Sequence, residues 1–222
     1  MGAIKKGWRD VTINEYFELK ERLDEAADAP EYEKAVIRVA FVSGMEEDDV
    51  WNLSVTEFNR YQVESLWMDE FNIGESVKFK TVTIDGVAYS VDTNLQAFTV
   101  AQYIDFQTFY GKRKSDEKVL GNILACFLVP KGNTYGEGYD IKDVVDSINE
   151  HLDIMTANEI VFFFLRQYLV SMRAIANYFG WMMKRLSRRV KDTEKLERLE
   201  RVWEEMKRTT LDGLRLSTTW EP

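Results

Sequence analysis

Apolar side chains recur at helical spacing along most of this chain, and four times the same polar signature introduces the pattern. Thr12-x-x-Glu15, Ser54-x-x-Glu57, Thr99-x-x-Gln102 and Thr156-x-x-Glu159 each read as a capping box. In that motif the hydroxyl accepts from the third helical amide while the Glu or Gln reaches back to the cap amide. Tyr16, Leu19 and Leu23 follow the first box; Phe58, Tyr61 and Leu66, with Trp67 beside them, follow the second. Tyr103, Phe106 and Phe109 or Tyr110 make an aromatic stripe after the third. After the fourth, Phe162, Leu165, Leu169, Met172, Phe179 and Met183 line a long face. Another helix is expected from just after Pro30 to Ser43-Gly44, where glycine can take the left-handed conformation that closes a helix. Glu46-Glu47-Asp48-Asp49 then opens a short helix, its carboxylates at the positive end of the dipole. The four acids lack the interleaved spacing of a calcium loop.

Period-two alternation is clear once, from Lys78 to Val91, split by Asp85-Gly86. Asp-Gly favours the two-residue turn whose twist suits a hairpin. Pairing Ile84 with Val87 puts Val82, Ile84, Val87, Tyr89 and Val91 on one face and Thr81, Thr83, Ala88 and Ser90 on the other. A lone two-stranded ribbon is marginal in water, so this one must lean on helices of its own chain or of a partner. Residues 111–118 read as an exposed connection. Pro130 to Asp140 is a Gly-rich loop leading into a short helix from Ile141 to about His151.

From Asp192 to Arg208 the apolar stripe narrows to Leu196, Leu199, Trp203 and Met206, spaced like coiled-coil core positions. Glu194/Arg198, Glu197/Arg201 and Glu204/Arg208 flank it as favourably oriented pairs four apart. So thin a stripe suits one neighbouring helix, in this chain or in another protein. Near the end of the tail stands Trp220, a natural docking hook if exposed. The expected fold is α+β and predominantly α-helical: a helical body with one β-hairpin and a long carboxyl-terminal helix. The parts expected are a helical lobe over 1–73, a hairpin plus helical core over 74–190 that is either separate from or continuous with that lobe, and a terminal helix and tail over 191–222.

Composition changes this picture little. At 222 residues, with 45% hydrophobic and 30% charged positions, the chain is ordinary globular material. Six Trp and thirteen Phe supply side chains that fill cores and also anchor interfaces. A net charge of −9 repels nucleic-acid backbones unless the basic residues are segregated. The one dense basic cluster is Lys184, Arg185, Arg188 and Arg189. The long apolar run from Ile160 to Met183 contains Arg166 and Arg173 on nearly one helical face. Two arginines near the middle of a membrane span are costly, so the run reads as a buried amphipathic helix. A helix lying on a membrane, with the basic cluster on headgroups or on nucleic acid, is the alternative.

The first residues, MGAIKKGWRDVTI, hold no apolar stretch long enough for a signal peptide, and Lys6 breaks the myristoylation pattern. Cys126 lies alone in an apolar run and reads as a small buried hydrophobe. A reducing cytoplasm is expected. With the single His151 and one Cys126 the usual zinc ligand sets cannot be assembled, and Ser-His or Cys-His catalysis would have to use His151. No phosphate loop or nucleophile elbow occurs, so neither catalysis nor a cofactor is expected. An enzyme using two carboxylates leaves no local signature and stays as a third reading.

Two segments carry a resemblance. VTINEYFELK (11–20) through residues 35–68 is similar to small helical tail-assembly proteins of tailed bacteriophages. In those, a helix leads through a Ser/Thr-Gly turn to an acidic short helix and a further helix. The matching positions are Ser43, Gly44, Glu47, Asp48, Val50, Leu53 and Phe58. Residues 84–109 and 120–140 resemble virion and tail-assembly proteins of crAss-like phages. The elements concerned are a hairpin, Gln102-Tyr103-Ile104-Asp105, and an apolar helix ending in Val129-Pro130 before a tyrosine-bearing loop. The carboxyl-terminal helix departs from the short assembly chaperones. The resemblance implies a non-enzymatic protein that binds other phage proteins, such as portal, tail or length-determining proteins, or further copies of itself. It would act as an assembly helper in the host cytoplasm, or as a component or cargo of the virion. Surfaces open to such partners are the Leu196/Leu199/Trp203/Met206 stripe, Trp220, and the face Tyr103/Phe106/Tyr110. The alternative for each is the protein's own core, the commoner place for an aromatic stripe at helical spacing.

Overall fold

Thr12 and Ser54 close the capping boxes that their spacing predicts. Thr12 Oγ1 accepts from Glu15 N at 3.3 Å and Glu15 Oε2 accepts from Thr12 N at 2.9 Å. Ser54 and Glu57 make the same exchange at 3.3 and 3.2 Å. These boxes open α1 (Ile13–Glu25) and α4 (Val55–Glu64). Between them lie α2 (Glu31–Ser43), closed by Gly44 at φ 65°, and the short α3 (Glu47–Trp51) with its acidic first turn. The computed structural model describes residues 4–71, 79–91, 98–112 and 119–166, with Tyr168, Trp181 and Arg201. Within them the fold is α+β and predominantly helical.

The hairpin has the expected register. β1 (Thr81–Ile84) pairs antiparallel with β2 (Val87–Val91), Ile84 opposite Val87 and Val82 opposite Tyr89. Asp85 and Gly86 turn the chain with φ of 45° and 74°, both in the left-handed region that this tight turn requires. Ile84 and Tyr89 on the apolar face are buried, while Val87 at the turn is exposed.

After α5 (Val100–Lys112) the structure departs from the expected apolar helix through Val129-Pro130. The helix α6 (Leu120–Ala125) stops early, and Leu128–Pro130 forms a third strand, β3. It pairs antiparallel with β2, Val129 opposite Ser90 and Leu128 opposite Val91. Periodicity alone cannot distinguish a short buried strand from a turn of buried helix. The open edge of β2 decided it, because its amides and carbonyls need partners wherever water is excluded. Pro130, which has no amide to donate, ends this strand at the sheet edge.

The helix after α7 (Ile141–His151) begins earlier than predicted, so the fourth capping box is a misreading. Ile13 N donates to Leu152 O at 3.2 Å and Ile154 N to Val11 O at 2.9 Å. This bridge holds Asp153 extended, and its Oδ1 accepts from Thr156 N at 2.8 Å. Asp153 is therefore the cap of a helix over 154–166, and Thr156 is its third residue. Glu159 instead accepts from Arg9 Nη2 at 2.6 Å, and Thr156 Oγ1 from Arg9 Nη1 at 3.3 Å. The face also turns: Ala157, Ile160, Val161, Phe164 and Tyr168 are buried, whereas Phe162 is exposed. Leu169, Met172, Phe179 and Met183 lie outside the described residues.

The chain divides into two units, Met1–Val161 and Phe162–Pro222. In the first, α1 packs on α7, joining the expected 1–73 lobe to the sheet and its helices. One apolar cluster holds Val36, Val39, Ala40, Val50 and Tyr61, with Met45, Leu53 and Phe58 against it. Phe106, Leu124, Phe127 and Leu128 are fully buried as well, and α7 contributes Val144, Val145 and Ile148.

Candidate partner-binding surface

Helix α5 is fixed to the body through polar and aromatic contacts on one side. Thr99 and Gln102 form its capping box, at 3.1 and 3.3 Å. Gln102 is buried, and its Nε2 also donates to Cys126 O at 2.7 Å. One turn on, Asp105 Oδ2 accepts the Tyr135 hydroxyl at 3.0 Å. Phe106 stacks on Tyr110 at 5.4 Å and meets Phe127 at 5.6 Å. Residues 102, 105, 106 and 110 share one helical face by spacing. This side is therefore a clasp.

The clasp corrects part of the aromatic stripe. Phe106 and Tyr110 are 0% and 8% exposed, so they are core and offer no surface to a partner. Tyr103 is 41% exposed. Val100 at 77% and Ile104 at 56% are exposed as well, and Val100, three positions before Tyr103 and four before Ile104, adjoins both on the outer side of the helix. Neither was among the candidates, although their spacing marks a second apolar stripe on α5. Gln102, Asp105 and Tyr135 were not candidates either. Nothing local in the sequence distinguishes a capping Gln from one that also holds a buried carbonyl.

The loop from Lys131 to Asp140 is held by its tyrosines. Burial pushes the Tyr135 hydroxyl well above its ordinary range, with Cys126 and Asp105 adding to the rise. Burial likewise raises the Cys126 thiol to about 12, opposed by its contact with the Tyr135 hydroxyl. Tyr139 is raised by burial too, against the amide bond from Gly136. A thiol kept protonated is a poor nucleophile. These groups serve as hydrogen-bonding and packing side chains.

Other candidates lie elsewhere. Leu196, Leu199, Trp203, Met206 and Trp220, and the basic Lys184, Arg185, Arg188 and Arg189, fall outside the described residues. His151 Nε2 is 3.9 Å from Asp85 and 3.8 Å from Glu150. A cleft of about 190 Å³ is lined by Ile13, Asn14, Phe17, Glu18 and Asn149, smaller than the roughly 300–1,000 Å³ of small-molecule sites. Among the described residues no three His, Cys, Asp or Glu side chains are grouped to hold a metal ion. Among them, too, no helix is long and apolar enough to cross a membrane. The chain matches no protein-family model, no curated protein and no solved structure.

Proposed function

We propose that this chain is a non-enzymatic protein of a tailed bacteriophage that works by binding other phage proteins of the portal, tail or length-determining apparatus. The observation that carries the binding role is the outer face of α5: Val100, Tyr103 and Ile104 exposed on a helix whose other face is clasped. A helix apolar on both faces is ordinarily covered on both, and a rigid helix face is a common way to present anchors. The phage setting rests on the resemblance of residues 11–68 and 84–140. Two roles remain within it, a helper that leaves after assembly and a component or cargo that stays.

Quantitative mass spectrometry of purified particles against infected-cell lysate separates the roles. Several copies per particle mean a virion component; abundance in lysate alone means a departing helper. The surface is tested in the same system with Tyr103→Ala/Ile104→Asp. Its expected effect is loss of the protein from particles, or from its complex with a phage protein, with an unchanged circular dichroism spectrum. Retention of both partners and incorporation by the folded variant would remove α5 from the proposal.

A further inference from the structure

Charge is unevenly divided between the two units. Phe162–Pro222 holds 13 Lys and Arg against 8 Asp and Glu, a net of +5. Met1–Val161 holds the remaining 16 against 30, a net of −14. The acidic excess concentrates over residues 24–64, where 11 acids face 3 basic residues. In that stretch Tyr32 on α2 and Trp51 on α3 are 58% and 56% exposed, their rings edge to face at 6.1 Å. Asp48, three positions before Trp51, shares its side of α3. Glu46, Asp48 and Asp49 make no ion pair among the described residues, whereas Glu47 is paired with Arg22. Two large rings left in water beside uncompensated carboxylates match the composition of an interface anchor with an acidic rim.

We infer that Tyr32 and Trp51, with Asp48 and Asp49, dock the basic segment 184–208 of a second copy of this chain. That segment has the complementary chemistry. Lys184, Arg185, Arg188, Arg189 and Lys191 precede the heptad-spaced Leu196, Leu199, Trp203 and Met206. Arginine can stack on an aromatic face while bonding a carboxylate in the same plane as its fork. Opposite net charges steer the approach, and apolar contact with the rings holds it. This surface is separate from α5 and goes beyond the binding role argued there.

Sedimentation velocity of the full chain over a wide concentration range tests the pairing. Self-association is expected at about 0.1 M salt and should dissociate toward 1 M, as the screening length shortens from about 10 to 3 Å. Tyr32→Ala/Trp51→Ala should weaken it at least about tenfold. Asp48→Lys/Asp49→Lys and Arg188→Glu/Arg189→Glu should each abolish it alone, with circular dichroism showing that each is folded. Mixing those two variants should restore association, because each supplies the surface the other lacks. A wild-type monomer at every concentration, association that survives these variants, or a mixture that stays monomeric would overturn the pairing. Tyr103→Ala/Ile104→Asp should leave self-association unchanged, so failure of the α5 surface is read separately.

Discussion

Gly121 on α6 shows how a single position can be set by a distant one. A β-carbon built there would run into the side-chain amide of Asn149, whose Oδ1 has no hydrogen-bond partner among the described residues. Gly121→Ala should therefore push the Asn149 amide aside and destabilise the protein by up to about 1 kcal/mol, the overpacking being partly offset by the helical preference of Ala. Asn149→Ala in the same chain should recover most of that loss, because it removes the obstructing atom. Urea unfolding of the four members of the cycle reads the coupling; costs that simply add would show that the two residues do not meet. Neither half of this pair was legible, since a helical glycine in an apolar run looks merely unfavourable. The same holds for Phe106 and Tyr103. Helical spacing groups them with one stripe, but α5 has apolar residues all round. Only the packing of Phe127 and the bond from Gln102 to Cys126 O turn Phe106 inward.

Elements were legible where their ends carry local chemistry. The Thr12, Ser54 and Thr99 boxes and the start of α7 follow from side chains bonding to nearby backbone, and the Gly44 closure and the Asp85-Gly86 turn from the left-handed backbone adopted there. They failed where two local signals competed. Asp153 and Thr156 are both good caps, and the backbone bridge to Val11 and Ile13 chose the former. Asp153→Ala is expected to cost about 1 kcal/mol, while Asp153→Asn should keep most of the stability. Thermal unfolding measures both. An Ala variant as stable as the wild type would return the helix start to Thr156. The third strand was missed for a related reason: its seven-residue apolar run satisfies helix and strand alike, and its partner β2 lies far back in the chain.

At the scale of the whole molecule, titration reports how burial and pairing are distributed. Glu15 is raised by burial, but Lys5 at 2.7 Å and the Thr12 bonds outweigh it, leaving it below its ordinary 4.5. Its contribution is present above that value and is lost as pH falls below it. Cys126 runs the other way. Its thiol, raised from 9.0 to about 12, contributes stability below pH 9 that is lost as pH rises toward 12. Tyr135 adds to the alkaline loss above its ordinary 10.0. Stability should therefore form a plateau between about pH 5 and 9 and fall on either side, as followed by urea midpoints across pH. On that plateau a thiol reagent should modify Cys126 only as fast as the protein opens. Rapid labelling of the folded chain would mean that the clasp around Tyr135 is open in solution. Net charge belongs to this scale as well. The total of −9 conceals −14 and +5 in the two units, a division that the composition of the whole chain cannot reveal.

By itself the sequence determined the class of fold, three of the four capping boxes, the hairpin turn and register, and the burial of Cys126. Each depends on spacing or on atoms a few residues apart. Tertiary structure alone decided which face of α5 is inward, where the last described helix begins, that the hairpin becomes a three-stranded sheet, and why position 121 is glycine. Those outcomes depend on competition among several locally acceptable arrangements. The winner is the one that pairs buried backbone groups and removes the most apolar surface from water together.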